Sequence, residues 1–173
     1  MSAAAFPIRV AQGERDLALA RGLIEEYAAG LGVDLCFQGL ADELATLPGK
    51  YGAPAGRLLL AGPPDDAVGC IALRPLAPGS FGVSDDAFAP PVGEVKRLYV
   101  QPRARATGTG RALATATVDA ARAFGYRTLC LDTLERMSEA RALYESLGFR
   151  RCARYYDNPL GDVAYYVLRL GDG

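Results

Sequence analysis

The chain has 173 residues and a formal net charge of -1, with half of its residues apolar and about a quarter charged. This length accommodates one domain with a proper core, so residues 1–173 are expected to form a single domain. The near-neutral charge argues against a broad nucleic-acid surface or a patch for anionic membranes.

The side-chain inventory narrows the chemistry further. Histidine is absent, which excludes Ser-His and Cys-His catalysis and histidine-ligated metals, and no metal is expected. Any reaction must use carboxylates, tyrosine, water, backbone dipoles or a cofactor. Buried free thiols are expected, rather than a disulfide or a nucleophile, because no CxxC pair occurs among Cys36, Cys70, Cys130 and Cys152. The N-terminus lacks a signal-peptide pattern and no apolar run reaches membrane-spanning length, so a reducing cytoplasm is the expected compartment.

The first half of the chain predicts a strand, two helices and a hairpin. Residues Phe6–Ala11 alternate as a strand does, and Glu14 to about Leu31 repeats its apolar residues at helical spacing. A shorter helix is expected over Gln38–Leu47, before a Pro-Gly pair. The apolar segments Arg57–Ala61 and Val68–Arg74 flank a Gly-Pro-Pro-Asp-Asp turn, which is the pattern of a hairpin.

The second half predicts a strand–helix–strand crossover followed by a helix and two strands. The crossover consists of strand Val92–Val100, helix Gly108–Phe124 and strand Tyr126–Leu131. Its two strands must be parallel. The remaining elements are Ser138–Leu147, Phe149–Arg154 and Val163–Leu170. This order implies an α/β (α+β) fold with a mixed sheet and helices on both faces.

The junction between the strand ending at Val100 and the next helix is the strongest sign of a ligand site. The loop Arg105–Arg111 contains Gly108 and Gly110, which permit positive φ and close approach of a ligand to the backbone. Free N–H groups at a helix start, together with nearby arginines, form a seat for a phosphate-bearing ligand. The loop is not a Walker loop, and its GxGxxG pattern is incomplete. Alone it is weak evidence, since glycines before a helix often only shape a turn.

Two sequence blocks resemble the GCN5-related N-acetyltransferase (GNAT) family. Val100-Gln101-Pro102 followed by Arg105-x-x-Gly108-x-Gly110 looks like its acyl-CoA signature, Q/R-x-x-G-x-G/A. The segment 140–149, ARALYESLGF, resembles its second conserved block, a helix followed by Gly-Phe and a strand. Both blocks occur in the family's order within residues 93–149. Many members have a glycine where this chain has Ala106, and an asparagine that contacts the pantetheine arm where it has Met137.

The resemblance implies a fold, a cofactor and a set of binding residues. The fold is a GNAT-like mixed, mostly antiparallel sheet with helices on both faces and a central parallel β-α-β unit. The cosubstrate is acetyl-CoA, whose pantetheine amides pair with the main chain of Leu98, Tyr99 and Val100 like an added strand. An N–H group of this segment polarises the thioester carbonyl. The pyrophosphate is held by the backbone amides of Arg105, Ala106, Thr107, Gly108, Thr109, Gly110 and Arg111.

Two residues are the catalytic candidates. The resemblance places Tyr144 near the sulfur, where it protonates the departing thiolate; the alternative is a half-buried tyrosine of a helix. Glu94 is the candidate base because an ammonium acceptor must lose a proton before it attacks a thioester. A Glu that only pairs with a neighbouring cation is the other reading. Strict alternation along this strand predicts one face made of Glu94, Lys96, Leu98 and Val100.

Other segments are candidates for the walls of a substrate pocket. Asp132 is expected to end its strand and, more often than not, to cap a helix or order a loop rather than take part in catalysis. The segment Tyr155–Pro159 either lines the acceptor pocket or only forms a turn between the last two strands. The segment Gln38–Tyr51 and the loop Ala77–Pro91 are candidate pocket walls by analogy with the family.

The resulting hypothesis is an acetyl-CoA-dependent N-acetyltransferase that acts by direct transfer to a primary amine of a small molecule or peptide. A non-catalytic acyl-CoA-binding sensor is the main alternative, and an acetyltransferase acting on proteins or aminoacyl-tRNA is a weaker one. No nucleic acid or membrane partner is expected. Dimers are frequent in the family, so a homodimer is a further expectation. The identity of the amine cannot be derived from the sequence.

Overall fold

Seven strands and four helices make up the described part of the chain, which comprises residues 5–77 and 88–171 of a computed structural model. The strands are β1 (Ile8–Val10), β2 (Arg57–Ala61), β3 (Gly69–Leu76), β4 (Val92–Val100), β5 (Thr128–Leu134), β6 (Arg150–Arg151) and β7 (Val163–Arg169). The helices are α1 (Gly13–Leu31), α2 (Leu40–Thr46), α3 (Thr109–Ala123) and α4 (Ser138–Ser146). In these residues no helix combines the length and apolar character needed to cross a bilayer.

The strands form one sheet in the order β1-β2-β3-β4-β5-β7-β6. Strands β4 and β5 run parallel, and the other neighbouring strands run antiparallel. The predicted fold class and the predicted parallel crossover are therefore confirmed. The crossover helix α3 buries Leu113, Ala114, Thr117, Val118 and Ala121, as its helical spacing predicts.

Each face of the sheet has its own apolar core. One core packs α3 and Tyr144 of α4 against residues such as Ile71 and Val95. The other core packs Leu23 and Ile24 of α1 against the opposite side of β2 and β3. The central strands β3 and β4 are thus covered on both faces, and polar side chains on them are enclosed.

A β-bulge in β4 breaks the alternation that the sequence predicts. Lys96 lies opposite Ala72 and Tyr99 lies opposite Cys70, so Arg97 and Leu98 together face one residue of β3. Arg97 adopts a φ of 60° at this point. The extra residue moves the following side chains to the other face. The predicted face is therefore wrong beyond Lys96: Leu98 and Val100 pack on the α3 side, away from Glu94 and Lys96.

The bulge coincides with a wedge between the two parallel strands. Strands β4 and β5 pair only from Val92–Thr128 to Glu94–Cys130, although both continue beyond those pairs. The β5 strand runs on to Leu134, so Asp132 lies within the strand and neither ends it nor caps a helix. Strand β6 is shorter than predicted, comprising Arg150–Arg151. The wedge opens the sheet at its centre.

Candidate active site

Three adjacent cavities follow the wedge through the molecule. The loop cavity, about 580 Å³, lies between the end of β4, the loop before α3 and the start of α4. The wedge cavity, about 100 Å³, lies between β4 and β5. The polar cavity, about 270 Å³, lies beside Glu94 on the α2 side of the sheet. The wedge cavity shares Leu98 and Met137 with the loop cavity, and Gln38, Lys96 and Arg97 with the polar cavity.

The loop before α3 presents backbone N–H groups to the loop cavity. Gly108, at a φ of 84°, is the residue before the first turn of α3. The first backbone hydrogen bond of α3 is donated by Ala112 to Gly108, so in the described chain the N–H groups of Thr109, Gly110 and Arg111 have no protein acceptor. Such groups at a helix N-terminus bind phosphate oxygens. Ala106 takes a φ of 59° without being glycine, which places it in the conformation that a glycine adopts at no cost.

The side chains of this loop are mostly engaged within the protein. Arg105 donates from Nε to the carbonyl of Val100 (3.0 Å), and Arg111 donates to the hydroxyl of Ser146 (2.6 Å). The hydroxyls of Thr107 and Thr109 lie 2.7 Å apart. Both arginines are exposed, so their positive charge remains close to the helix start. The predicted residues Leu98, Tyr99, Val100, Arg105, Ala106, Gly108, Thr109 and Gly110 line the loop cavity; Thr107 and Arg111 lie beside it.

The end of β4 has a free edge. Its antiparallel partner β3 pairs with one side as far as Val100, whereas β5 pairs with the other side only as far as Glu94. The β5-facing side between these two residues borders the wedge and loop cavities. An extended amide-bearing ligand can add to such an edge as a strand does.

Tyr144 lines the wedge cavity from α4. It is 6% exposed, and its ring contacts Phe149 edge-on at a centroid distance of 5.5 Å. Burial raises the pKa of Tyr144, so the phenol is protonated at neutral pH and can donate a proton. Met137 also lines this cavity, and its sulfur accepts a hydrogen bond from Thr133 (3.8 Å).

Glu94 is fully buried at the floor of the polar cavity. Its Oε2 accepts from Nε of Arg74 (2.7 Å) and lies 2.6 Å from Nη2 of the same side chain. Its Oε1 accepts from the hydroxyl of Tyr155 (2.8 Å) and lies 3.7 Å from Nζ of Lys96. These contacts hold the carboxylate in one orientation at the cavity wall.

A second ion pair spans the wedge. Nζ of Lys96 on β4 lies 3.1 Å from Oδ1 of Asp132 on β5, and the hydroxyl of Tyr156 donates to Oδ2 of Asp132 (2.8 Å). Burial alone would raise the pKa of Asp132, but Lys96 and Tyr156 hold it below its ordinary value. Burial would likewise lower the pKa of Lys96, but Glu94 and Asp132 raise it. Both groups are therefore charged at neutral pH.

The bulge residue Arg97 closes the α2 side of the polar cavity. Its Nε and Nη2 donate to the two carboxylate oxygens of Glu43 (2.8 and 3.0 Å), and its Nη1 donates to Gln38 (3.0 Å). This bidentate pair ties β4 to the segment around α2. The predicted pocket wall Gln38–Tyr51 does supply residues to the cavity, and so does the turn at Tyr155.

Sequence reasoning missed most of this charged network. A neighbouring cation was expected as a partner of Glu94, but Arg74 was not foreseen, nor were the pairs of Lys96 with Asp132 and of Arg97 with Glu43. Charged residues inside a buried strand are an available signal for such a network. Within residues 5–77 and 88–171 no group of three or more potential ligands is placed to hold a metal ion. Cys36, Cys70 and Cys130 are free thiols; Cys70 and Cys130 are buried as expected, whereas Cys36 is exposed. Burial raises the pKa of Cys70 to about 12. Most of the predicted loop Ala77–Pro91, namely 78–87, lies outside the described residues.

Comparisons with known proteins point in one direction. The model of the acetyltransferase (GNAT) family matches residues 33–149. An uncharacterized N-acetyltransferase of Schizosaccharomyces pombe is 38% identical over 149 residues, which are 86% of this chain and 85% of that protein.

Solved structures agree on the fold. An acetyltransferase from Streptococcus agalactiae has a TM-score of 0.73 at 23% identity, covering 95% of this chain and 98% of that one. A Salmonella typhimurium protein assigned as an acetyltransferase, whose structure contains its cofactor acetyl-CoA, has a TM-score of 0.66 at 21% identity, covering 98% and 96%.

Proposed function

Because this chain belongs to the GNAT acetyltransferase family, we propose that it transfers the acetyl group of acetyl-CoA directly to a primary amine of a small molecule or peptide. The observation that carries the proposal is the wedge between β4 and β5. It joins a cavity suited to a phosphate-bearing donor to a separate polar cavity on the other side of the sheet.

The residues present fit acetyl-CoA. Free N–H groups from Thr109 to Arg111 suit its pyrophosphate, and the open edge of β4 suits its pantetheine amides. We assign pyrophosphate binding to the backbone from Arg105 to Arg111, and pantetheine pairing to Leu98, Tyr99 and Val100. When bound, the thioester supplies an activated acetyl group. A main-chain N–H of β4 polarises its carbonyl.

Glu94 and Tyr144 take the two proton-transfer roles. Glu94, through a water molecule, accepts the proton that the amine loses as its nitrogen forms the new C–N bond. Tyr144 donates a proton to the thiolate released when the C–S bond breaks. The positions of these residues on opposite sides of the wedge support this assignment, since Glu94 lines the polar cavity and Tyr144 the wedge cavity.

Two measurements on the purified chain test the proposal. Calorimetry with acetyl-CoA should show saturable binding, and release of free thiol should depend on an added primary amine. Mass spectrometry should identify the N-acetylated amine. Binding without amine-dependent thiol release would favour the acyl-CoA sensor instead, and no binding would remove the basis of the assignment.

A further inference from the structure

The buried carboxylates around the polar cavity all accept hydrogen bonds from donors of the chain. Both oxygens of Glu43 accept from Arg97, and both oxygens of Glu94 accept from chain donors. The oxygens of Asp132 accept from Lys96 and Tyr156. Asp157, which also lines the cavity, is exposed and pairs through Oδ1 with Arg154. Each carboxylate of the cavity lining thus already has a partner in the chain.

The polar neutral groups are engaged as well. The hydroxyl of Tyr156 donates to Asp132 and accepts from Asn158 (2.7 Å). Gln38 accepts from Arg97 through Oε1 and donates to Tyr156 through Nε2 (3.4 Å). Among the described residues, this leaves little acceptor capacity for a second cationic group on a substrate.

By contrast, two cations of the cavity, Arg74 and Lys96, still have N–H groups that can donate to a ligand. Arg74 directs Nε and Nη2 at Glu94, and its Nη1 has no partner in the described chain, although the side chain is 24% exposed. The Nζ of Lys96 carries three N–H donors; it is bonded to Oδ1 of Asp132 and lies 3.7 Å from Oε1 of Glu94. A bound group that accepts hydrogen bonds would satisfy them, and a carboxylate would do so with charge assistance.

We propose that the amine acceptor carries a carboxylate next to its amino group, as a free amino acid does, and that Arg74 anchors this carboxylate. The proposal rests on the proposed function and narrows its substrate class. Arg74 lies beside Glu94, so a carboxylate on its free nitrogen places a neighbouring amine close to the base and to the wedge. A polycationic amine finds no unpaired carboxylate among the described residues of the lining, where the exposed Asp157 already pairs with Arg154.

The proposal is tested with pairs of amine acceptors that differ only in whether they carry the carboxylate. Free amino acids and their C-terminal amides share the same amine and side chain, and spermidine and short peptides serve as acceptors without this feature. The readout is kcat/KM for thiol release by the full chain with saturating acetyl-CoA. The carboxylates should be preferred over their amides by roughly tenfold to a hundredfold, the effect of one charge-assisted hydrogen bond.

The variant Arg74→Gln separates anchoring from a structural role. Its carboxylate-to-amide preference should fall to near one, with a raised KM for the acid and an unchanged KM for acetyl-CoA. If Arg74 only orients Glu94, kcat falls equally for both acceptors and the preference persists, which overturns the proposal. Arg122→Gln, an exposed arginine at the end of α3 that pairs with Asp119, is the matched control.

The remaining outcomes distinguish this proposal from the proposed function. Equal or better use of the amides, of spermidine or of peptides overturns the carboxylate anchor and leaves acetyl transfer to an amine intact. Failure of every amine to be acetylated, despite binding of acetyl-CoA, overturns the acetyltransferase assignment itself.

Discussion

Glu94, which we propose as the general base, is also the centre of a charged network. Arg74, Lys96 and Tyr155 all direct donors at its carboxylate. A purely structural residue with these contacts would affect folding, whereas a base would affect turnover. The two roles are therefore separable by measuring both properties on one variant.

The substitution Glu94→Gln should lower kcat by about 10²-fold or more, because the amide cannot accept the proton of the amine. The KM for acetyl-CoA should stay the same, since Glu94 does not line the loop cavity. Steady-state rates and urea unfolding on the same preparation check this. Glu25→Gln, on the exposed surface of α1, is the matched control. An unchanged kcat would contradict the base assignment.

Tyr144→Phe should lower kcat by roughly 10²-fold while retaining the ring contact with Phe149. The phenol of Tyr144 is held protonated by burial, so its removal deprives the departing thiolate of its proton source. Tyr166→Phe serves as control, because this buried tyrosine bonds Glu145 and lies on neither the loop nor the wedge cavity. Equal rates for the two variants would exclude Tyr144 as the acid.

At the scale of elements, an ion pair between Lys96 and Asp132 connects β4 and β5 across the wedge. Lys96 and Asp132 connect β4 and β5 beyond the last backbone pair, and both side chains are almost fully buried. Breaking one partner of a buried pair leaves the other charge unpaired, which is costly. The salt bridge therefore connects the two strands where their backbones no longer pair.

Asp132→Asn should lower the free energy of unfolding by about 3 kcal/mol at neutral pH. Because the pKa of Asp132 is lowered in the folded state, its contribution is present above the ordinary value of 3.8 and is lost as pH falls through the lower folded value. The free energy of unfolding of the variant should therefore decrease less than that of the wild type as the pH falls below 3.8. Urea unfolding at several pH values measures it, with the exposed Asp119→Asn as control. If the free energy of unfolding falls with decreasing pH equally in both proteins, the stabilising role of the Lys96–Asp132 pair is wrong.

The loop before α3 makes a second prediction at this scale. Gly108→Ala places a side chain at a φ of 84° and should cost about 1 kcal/mol of stability while weakening acetyl-CoA binding. Gly22→Ala, inside α1 with open space around it, should instead stabilise the protein by roughly 1 kcal/mol and leave binding unchanged. Thermal unfolding and calorimetry distinguish the two; equal effects on binding would contradict the loop assignment.

At the scale of the whole molecule, one sheet with a core on each face should unfold as a unit. The single-domain expectation for residues 1–173 remains a prediction. It requires one thermal unfolding transition whose calorimetric enthalpy equals its van't Hoff enthalpy. Acetyl-CoA at a hundredfold excess over its Kd should raise Tm by roughly 5 to 10 °C. Two separate transitions, or no shift with acetyl-CoA, would contradict the domain or the ligand assignment respectively.

Much of the fold was predictable because its signals are local. The bounds of β2 and β4 agree with the apolar segments Arg57–Ala61 and Val92–Val100. Gly108 indicated the turn before α3, since a positive φ is a property of a single residue. Gly110 lies inside α3 and is not among the residues of positive φ. The bulge at Arg97 could not be predicted, because an extra residue in a strand is defined only by the strand opposite it.

The sequence alone determined the order of elements, the absence of histidine chemistry and the place of the glycine-containing loop before α3, since each depends on composition or on residues close together in the chain. Only the tertiary structure decided which charges meet. Glu94 pairs with Arg74, Lys96 with Asp132, and Arg97 with Glu43, across 20, 36 and 54 residues of sequence. Strand register, the bulge at Arg97 and the wedge bring these side chains into contact. None of the three can be read from residues that are close together in the sequence.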